Sequence, residues 1–178
     1  MKKGVIIVIV LLCAFTIVKA QDTIQGFIFP KDGSVIWQHE FTTQERMDDL
    51  FNSIIENRVV TEYEIFGNHL SGIMPQISAR YELAGFKKIK TPNYILAYDC
   101  TANVLIQYKP GKYRVTLHRI RMVNNGSDYS FTNPINLLED YALNKKGVSK
   151  AFRKSSAYIL NTTFVDYFSN IKLFDDEW

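Results

Sequence analysis

Two stretches of alternating apolar and polar residues meet at Pro110-Gly111, and they constrain the fold more than any other part of the chain. Val104-Leu-Ile-Gln-Tyr108 runs into the turn and Tyr113 to Met122 runs out of it. A period of two sends successive side chains to opposite faces of a sheet. Pro presets the backbone of a turn's first central residue and Gly supplies positive φ at the next. The pair therefore reads as an antiparallel hairpin, and Tyr94 to Tyr98 as a further strand ahead of it. In the return strand Tyr113, Val115 and Leu117 alternate with Arg114, Thr116 and His118. The phase then changes, because Arg119 and Arg121 stand where apolar residues were due and Ile120 and Met122 take over. A slip of one residue predicts a bulge near His118.

A helix is expected over 43–58, and its apolar stripe must lie on something apolar, for which the neighbouring strands are the candidates. Met47, Leu50, Phe51, Ile54 and Ile55 form one stripe, with Arg46, Asp48, Asp49, Asn52 and Glu56 around it. Thr42 and Glu45 have the spacing of a capping box. Upstream, residues 24–29 and 34–41 flank the turn Pro30-Lys31-Asp32-Gly33 as a hairpin or a strand after a turn. Val59 to Phe66 reads as a strand and His69 to Met74 as its return. Residues 75–92 read as a loop or weak edge strand. Two helices are expected after the sheet. The first begins at Pro134, with Asn133 as cap and Leu137, Leu138, Tyr141 and Ala142 as its apolar face. The second begins at Ser149 and ends near 172, with Tyr158, Val165, Phe168 and Ile171 as its better stripe.

The segment before all this has the plan of a secretory signal. Lys2 and Lys3 precede the apolar run Val5 to Val18, and Val18-Lys19-Ala20 places the cut between Ala20 and Gln21. The run is short for a membrane span, which needs about 20 apolar residues. Lipid attachment at Cys13 is disfavoured, since Leu12 precedes it and the cut would fall inside the apolar run. The expected organisation is a signal peptide over 1–20, an α+β domain over 21–130, and a C-terminal helical extension of that domain over 131–178. No transmembrane helix remains after signal removal. Of the 21 Lys and Arg residues, Lys2, Lys3 and Lys19 lie in the signal, which leaves 18 against 18 Asp and Glu. A neutral domain gives no global reason to bind nucleic acid. Cys100 alone survives cleavage and reads as a small core hydrophobe between strand residues.

The strand into Phe41-Thr42-Thr43-Gln44-Glu45, the amphipathic helix, and a meander ending in Val104-x-Ile106-x-Tyr108 and Gly111-Lys112-Tyr113-Arg114-Val115-Thr116-Leu117 together resemble a family. It is a family of bacterial exported domains of unknown function assigned a fold like the TATA-binding protein. The resemblance covers about residues 34–123, and the long stretch 75–92 departs from it. It implies an α+β fold, a curved antiparallel sheet with a helix packed on one face, to which the C-terminal helices are added. It implies no activity, and fold analogy does not make the domain a DNA binder.

Few residues point to chemistry. His39, His69 and His118 share no metal-ligand spacing. No dinucleotide fingerprint, P-loop or nucleophile elbow occurs, so no catalytic, metal or cofactor residue is assigned. Asp48-Asp49 and Asp175-Asp176-Glu177 read as solvated charge, and the acceptor patterns at Asn125 and Asn161 carry little weight. The notable feature is a basic stripe, Lys112, Arg114, His118, Arg119 and Arg121, with Lys109 at its start. It reads either as a solvated sheet face paired with acids or as a cradle for an anionic glycan, a lipid head group or an envelope protein's carboxylates. Tyr94, Tyr98, Tyr108 and Tyr113 read as cross-strand packing or as part of a binding surface. The expectation is a periplasmic or secreted, non-enzymatic binding or scaffold module with no cofactor. The competing expectation is a cell-envelope hydrolase whose site is assembled from distant residues. Self-association through the helix at 149–172 is a third possibility.

Overall fold

A computed structural model describes residues 23–126 and 134–171. The signal segment, its cleavage point at Ala20 and Gln21, and the acidic run Asp175-Asp176-Glu177 lie outside the described residues. In chain order the strands are β1 (Thr23–Ile24), β2 (Phe27–Ile28), β3 (Ile36–Thr42), β4 (Thr61–Phe66), β5 (His69–Ile77), β6 (Tyr98–Lys109), β7 (Lys112–Asn124), β8 (Ile135–Leu137), β9 (Leu143–Asn144) and β10 (Gly147–Val148). The helices are α1 (Met47–Glu56), α2 (Asn93–Ala97), α3 (Glu139–Ala142) and α4 (Ala157–Ser169). The main sheet runs β1-β2-β3-β7-β6-β5-β4, with β8 also on β7, and every pairing is antiparallel. The class is α+β, as expected.

The β6–β7 hairpin closes as its sequence predicts, with Lys109 opposite Lys112 across Pro110-Gly111 and Gly111 at φ +84°. The bulge is also present. Asn103 pairs with His118 but Thr101 pairs with Arg121, so β7 carries one extra residue between these pairs. Arg119 takes it up at φ +50°. The consequence is visible in burial, since Tyr113, Val115 and Leu117 and then Ile120 and Met122 all reach the core.

That core face is covered by α1 and α4. Leu50, Phe51 and Ile54 are buried, with Met47 and Ile55 packed beside them, so the predicted stripe of α1 is used. The capping box does not form. Thr42 is still paired with Lys112 in the ladder and the amide of Thr43 donates to the carbonyl of Gly111. The helix therefore begins only after Arg46, and Thr43 instead accepts the amide of Glu45.

Three other expectations change. Tyr94 to Ala97 is a short helix rather than a strand, because the Ile95 amide turns back onto the carbonyl of Pro92. A short apolar run does not distinguish the two by periodicity. Residues 135–137 are a strand rather than the start of a helix. β3 pairs with β7 only as far as Leu117, and β8 satisfies the β7 edge at Arg121 to Val123. Backbone groups left open there would need a partner. The helix then expected around Tyr141 shrinks to the four residues of α3.

The last helix is capped by Ser149, whose hydroxyl oxygen accepts the amide of Phe152. Its buried row is Phe152, Ser156, Leu160, Phe164 and Phe168, not the stripe through Tyr158, which is exposed. Steps of four drift by about 40° each on a 3.6-residue helix. A π-helical turn at Phe152–Ser156 widens the helix and slows that drift. This row fills the chain's own core. Trp37 is enclosed by Phe164 and Phe168, and Phe152 packs edge-on to Phe27. Cys100 is fully buried against Met122, and burial pushes its thiol up to about 12, which makes it the inert core residue expected.

Candidate functional site

The face of the sheet away from α1 and α4 carries no described helix. Its side chains come from alternate residues of four strands. Gln38 donates to the Thr116 hydroxyl at 3.0 Å, and the amide nitrogen of Gln107 meets the Nε2 of His69 at 3.0 Å. None of Gln38, Glu40, Ser71, Asn103, Leu105, Gln107, Thr116 and His69 is buried. This is a polar surface supported from behind by the core.

β7 runs through it and gathers the basic stripe. Lys112, Arg114 and His118 alternate with Tyr113, Val115 and Leu117, so they point away from the helices. Strict alternation would then bury Arg119 and Arg121 and expose Ile120 and Met122. The bulge prevents this. With Arg119 as the inserted residue, His118 and Arg119 are both exposed, and Arg121 keeps to the open side while Ile120 and Met122 are buried. All five predicted residues therefore share one side of one strand, in a row about 30 Å long at roughly 3.3 Å per residue.

The row is uneven in charge. At its start, Glu40 lies opposite Arg114 in register, and its carboxylate takes the Lys112 ammonium at 2.8 Å and the Arg114 guanidinium at 3.6 Å. Lys112 foremost, then Arg114, holds the Glu40 carboxyl below its usual range. These pairs are exposed, so each contributes little to stability. A shallow depression of about 90 Å³ opens there between Glu40, Gln107, Lys112 and Arg114. Farther along, His118 and Arg119 have no carboxylate partner among the described residues. Arg121 is half-buried between Thr101 and Leu137, and its Nε has no hydrogen-bond partner among the described residues.

The histidines do not converge. His39 lies on the helix side, stacked on Trp37 and edge-on to Phe41, while His69 and His118 are on the open face. Among the described residues no group of three His, Cys, Asp or Glu side chains is disposed to hold a metal ion. The tyrosines belong to packing. Tyr98 and Tyr113 are buried, Tyr94 stacks on Tyr141 at 4.2 Å, and the Tyr108 hydroxyl donates to the carbonyl of Glu45.

A groove of about 570 Å³ lies between residues 77–83 and α4. Its polar groups hold the loop down. The Arg80 amide donates to Thr163, the Arg80 guanidinium pairs with Asp166, and Tyr167 donates to the carbonyl of Val59. The 75–92 stretch is thus a packed loop after β5 ends at Ile77, with Ala84 buried and Phe86 against Tyr158. Among the described residues no helix is long and apolar enough to cross a membrane.

Two solved structures are similar to this chain. One is a TBP-like protein from Parabacteroides distasonis, at 11% identity and a TM-score of 0.46, over 80% of this chain and 97% of that one. The other is a DUF4468 family protein from Bacteroides ovatus, at 14% identity and a TM-score of 0.41, over 89% and 95%. No protein-family model matches the chain. No curated protein matches it either.

A second cationic region was not singled out by sequence reasoning. Residues 145–154 hold Lys145, Lys146, Lys150, Arg153 and Lys154 and no acid, a signal that a scan for unbalanced charge would have found.

Proposed function

We propose that the chain is an exported, non-enzymatic binding or scaffold module of the cell envelope. Residues 1–20 lead it out and are cut between Ala20 and Gln21, and the remainder works as one periplasmic or secreted domain. Two features support treating 131–178 as part of that domain: β8 completes the edge of β7, and α4 fills the core behind the sheet. The row Lys112, Arg114, His118, Arg119 and Arg121 is the ligand-facing surface. Its ligand is anionic, of the kind presented by a glycan, a lipid head group or a protein carboxylate.

The observation that carries this reading is the bulge at Arg119. Without it two of the row's arginines would point into the core; with it the cations line one sheet face that no helix covers among the described residues. Only Glu40 answers them among the described residues, and it answers only the first two. A surface of that kind attracts anions through its local field even on a neutral chain.

The test is recovery of partners from envelope extract by the wild-type chain and by a variant with Arg114, Arg119 and Arg121 changed to Glu. Loss of specific partners in the variant supports the row, and equal recovery by both removes it. Export has its own test. Protein purified from the envelope fraction should begin at Gln21, and a start at Met1 would overturn that part of the proposal.

A further inference from the structure

A groove of about 370 Å³ lies at the edge of the molecule opposite β4, between the turn after β2, the β9–β10 hairpin and the first turns of the last helix. It belongs to none of the surfaces assigned above. Phe29, Leu143 and Val148 form its apolar part and are only half-buried, so they present unfilled apolar surface. Phe29 is held from behind by Phe152, edge-on at 6.0 Å. Lys31, Lys146 and Arg153 stand around this apolar part, one from each of the three elements. Lys145, Lys150 and Lys154 are exposed close by in the chain.

Lys31, Lys145, Lys146, Lys150 and Lys154 have no carboxylate in ion-pair range among the described residues. Asp32, next to Lys31 in the chain, stays ionised, because the amide and hydroxyl of Ser34 both donate to its carboxylate, and Glu139 accepts the amide of Val35. Exposed acids among the described residues include Glu62 and Glu64 on the far edge strand β4, and Asp48 and Glu56 on α1. The π-helical turn carries Arg153 and Lys154 side by side on the outer surface while Phe152, Ser155 and Ser156 face in.

Apolar floor and cationic rim together specify an occupant that is apolar at its centre and acidic on its flanks. We infer that this groove docks an acidic peptide segment of a partner protein, with an apolar side chain set against Phe29, Leu143 and Val148 and carboxylates against Lys31, Lys146 and Arg153. Charge of this kind sets encounter rate and orientation, and the buried apolar anchor supplies the hold. The site is independent of the β7 row, so it stands or falls separately from the function proposed above.

The experiment is fluorescence anisotropy of the full chain with a labelled pentapeptide of four aspartates around a central phenylalanine. Saturable binding is expected, weakened about tenfold when alanine replaces the phenylalanine. A Lys146→Glu/Arg153→Glu variant should also lose about tenfold, whereas a Lys87→Glu/Lys88→Glu variant, changed at two exposed lysines outside both surfaces, should bind as wild type. Both substituted side chains are exposed, and matching circular dichroism spectra establish that the variant remains folded. The inference is overturned by absent or non-saturable binding, or by equal binding of the alanine-centred peptide. It is also overturned if phosphatidylglycerol vesicles or inorganic phosphate displace the pentapeptide from wild type while an excess of the unlabelled peptide does not.

Discussion

The indole N–H of Trp37, on the sheet, donates to the side-chain oxygen of Asn161, on α4, at 3.0 Å. Trp37 is completely buried, so this bond supplies the partner its one polar atom needs. It also explains a tight place nearby. Gly26 sits at φ +77° over the same contact, where an added Cβ would lie 3.0 Å from the Trp37 Nε1 and 3.3 Å from the Asn161 Oδ1.

Replacing Asn161→Leu should therefore leave a buried donor unsatisfied, at a cost of about 1–3 kcal/mol. Urea unfolding followed by tryptophan fluorescence reads this as a lower midpoint at unchanged slope. A midpoint equal to wild type would mean that water or another group takes over from Asn161.

Arg119 is held in the left-handed region by the bulge, where a non-glycine residue is disfavoured by roughly 1–2 kcal/mol. Arg119→Gly should raise stability by up to about 1 kcal/mol, and Arg119→Val should lower it by a similar amount. Deleting residue 119 should remove the bulge and leave Ile120 and Met122 inward, because they then continue the alternation of Tyr113, Val115 and Leu117, so the loss should be no larger than that of Arg119→Val. Chemical denaturation of the three variants gives the order directly.

Phe164 touches both Phe27 and Trp37 at the centre of the helix–sheet interface and is fully buried. Phe164→Ala should cost about 3–5 kcal/mol through lost burial and the cavity left behind. Val165→Ala, on a half-buried position one residue away, should cost clearly less. Similar losses for both would argue against α4 packing by its 160–164–168 row.

His39 lies partly buried on Trp37 and Phe41, and burial lowers its pKa from the ordinary 6.5. Above pH 6.5 the ring is neutral in both folded and unfolded chains, and stability does not depend on it. Below 6.5 the unfolded chain takes up the proton more readily, so stability falls as pH falls until the folded pKa is passed. Thermal melts between pH 7.5 and 5 should show a declining Tm in wild type. The decline should be shallower in His39→Phe, and parallel declines would exclude His39 as a source.

The hairpin at Pro110-Gly111 and the bulge beside His118 were legible because both are local. A period of two and a single break in it are written in consecutive residues, and no distant contact is needed to read them. The same holds for the stripe of α1. The start of that helix was not legible, since Thr42 and Glu45 match a capping box that the pairing of Thr42 with Lys112 pre-empts. Residues 135–137 were misread for a related reason. Their strand exists because β3 ends opposite Leu117 and leaves an edge to fill, a fact about another part of the chain.

The alternation in residues 104–122 and the spacing in 47–55 determined, without any structure, a bulged antiparallel hairpin and an amphipathic helix with one apolar stripe. Tertiary structure alone decided what surrounds those cations and how the last helix turns. Glu40 reaches Lys112 and Arg114 only through the β3–β7 register, and Lys31 meets Lys146 and Arg153 only because three separate elements end at one groove. Backbone periodicity acts over a few residues and is set by local sterics, whereas charge balance depends on distances between segments far apart in the chain. For that reason the strand pattern could be read in advance, while the charge environment of the surface could not.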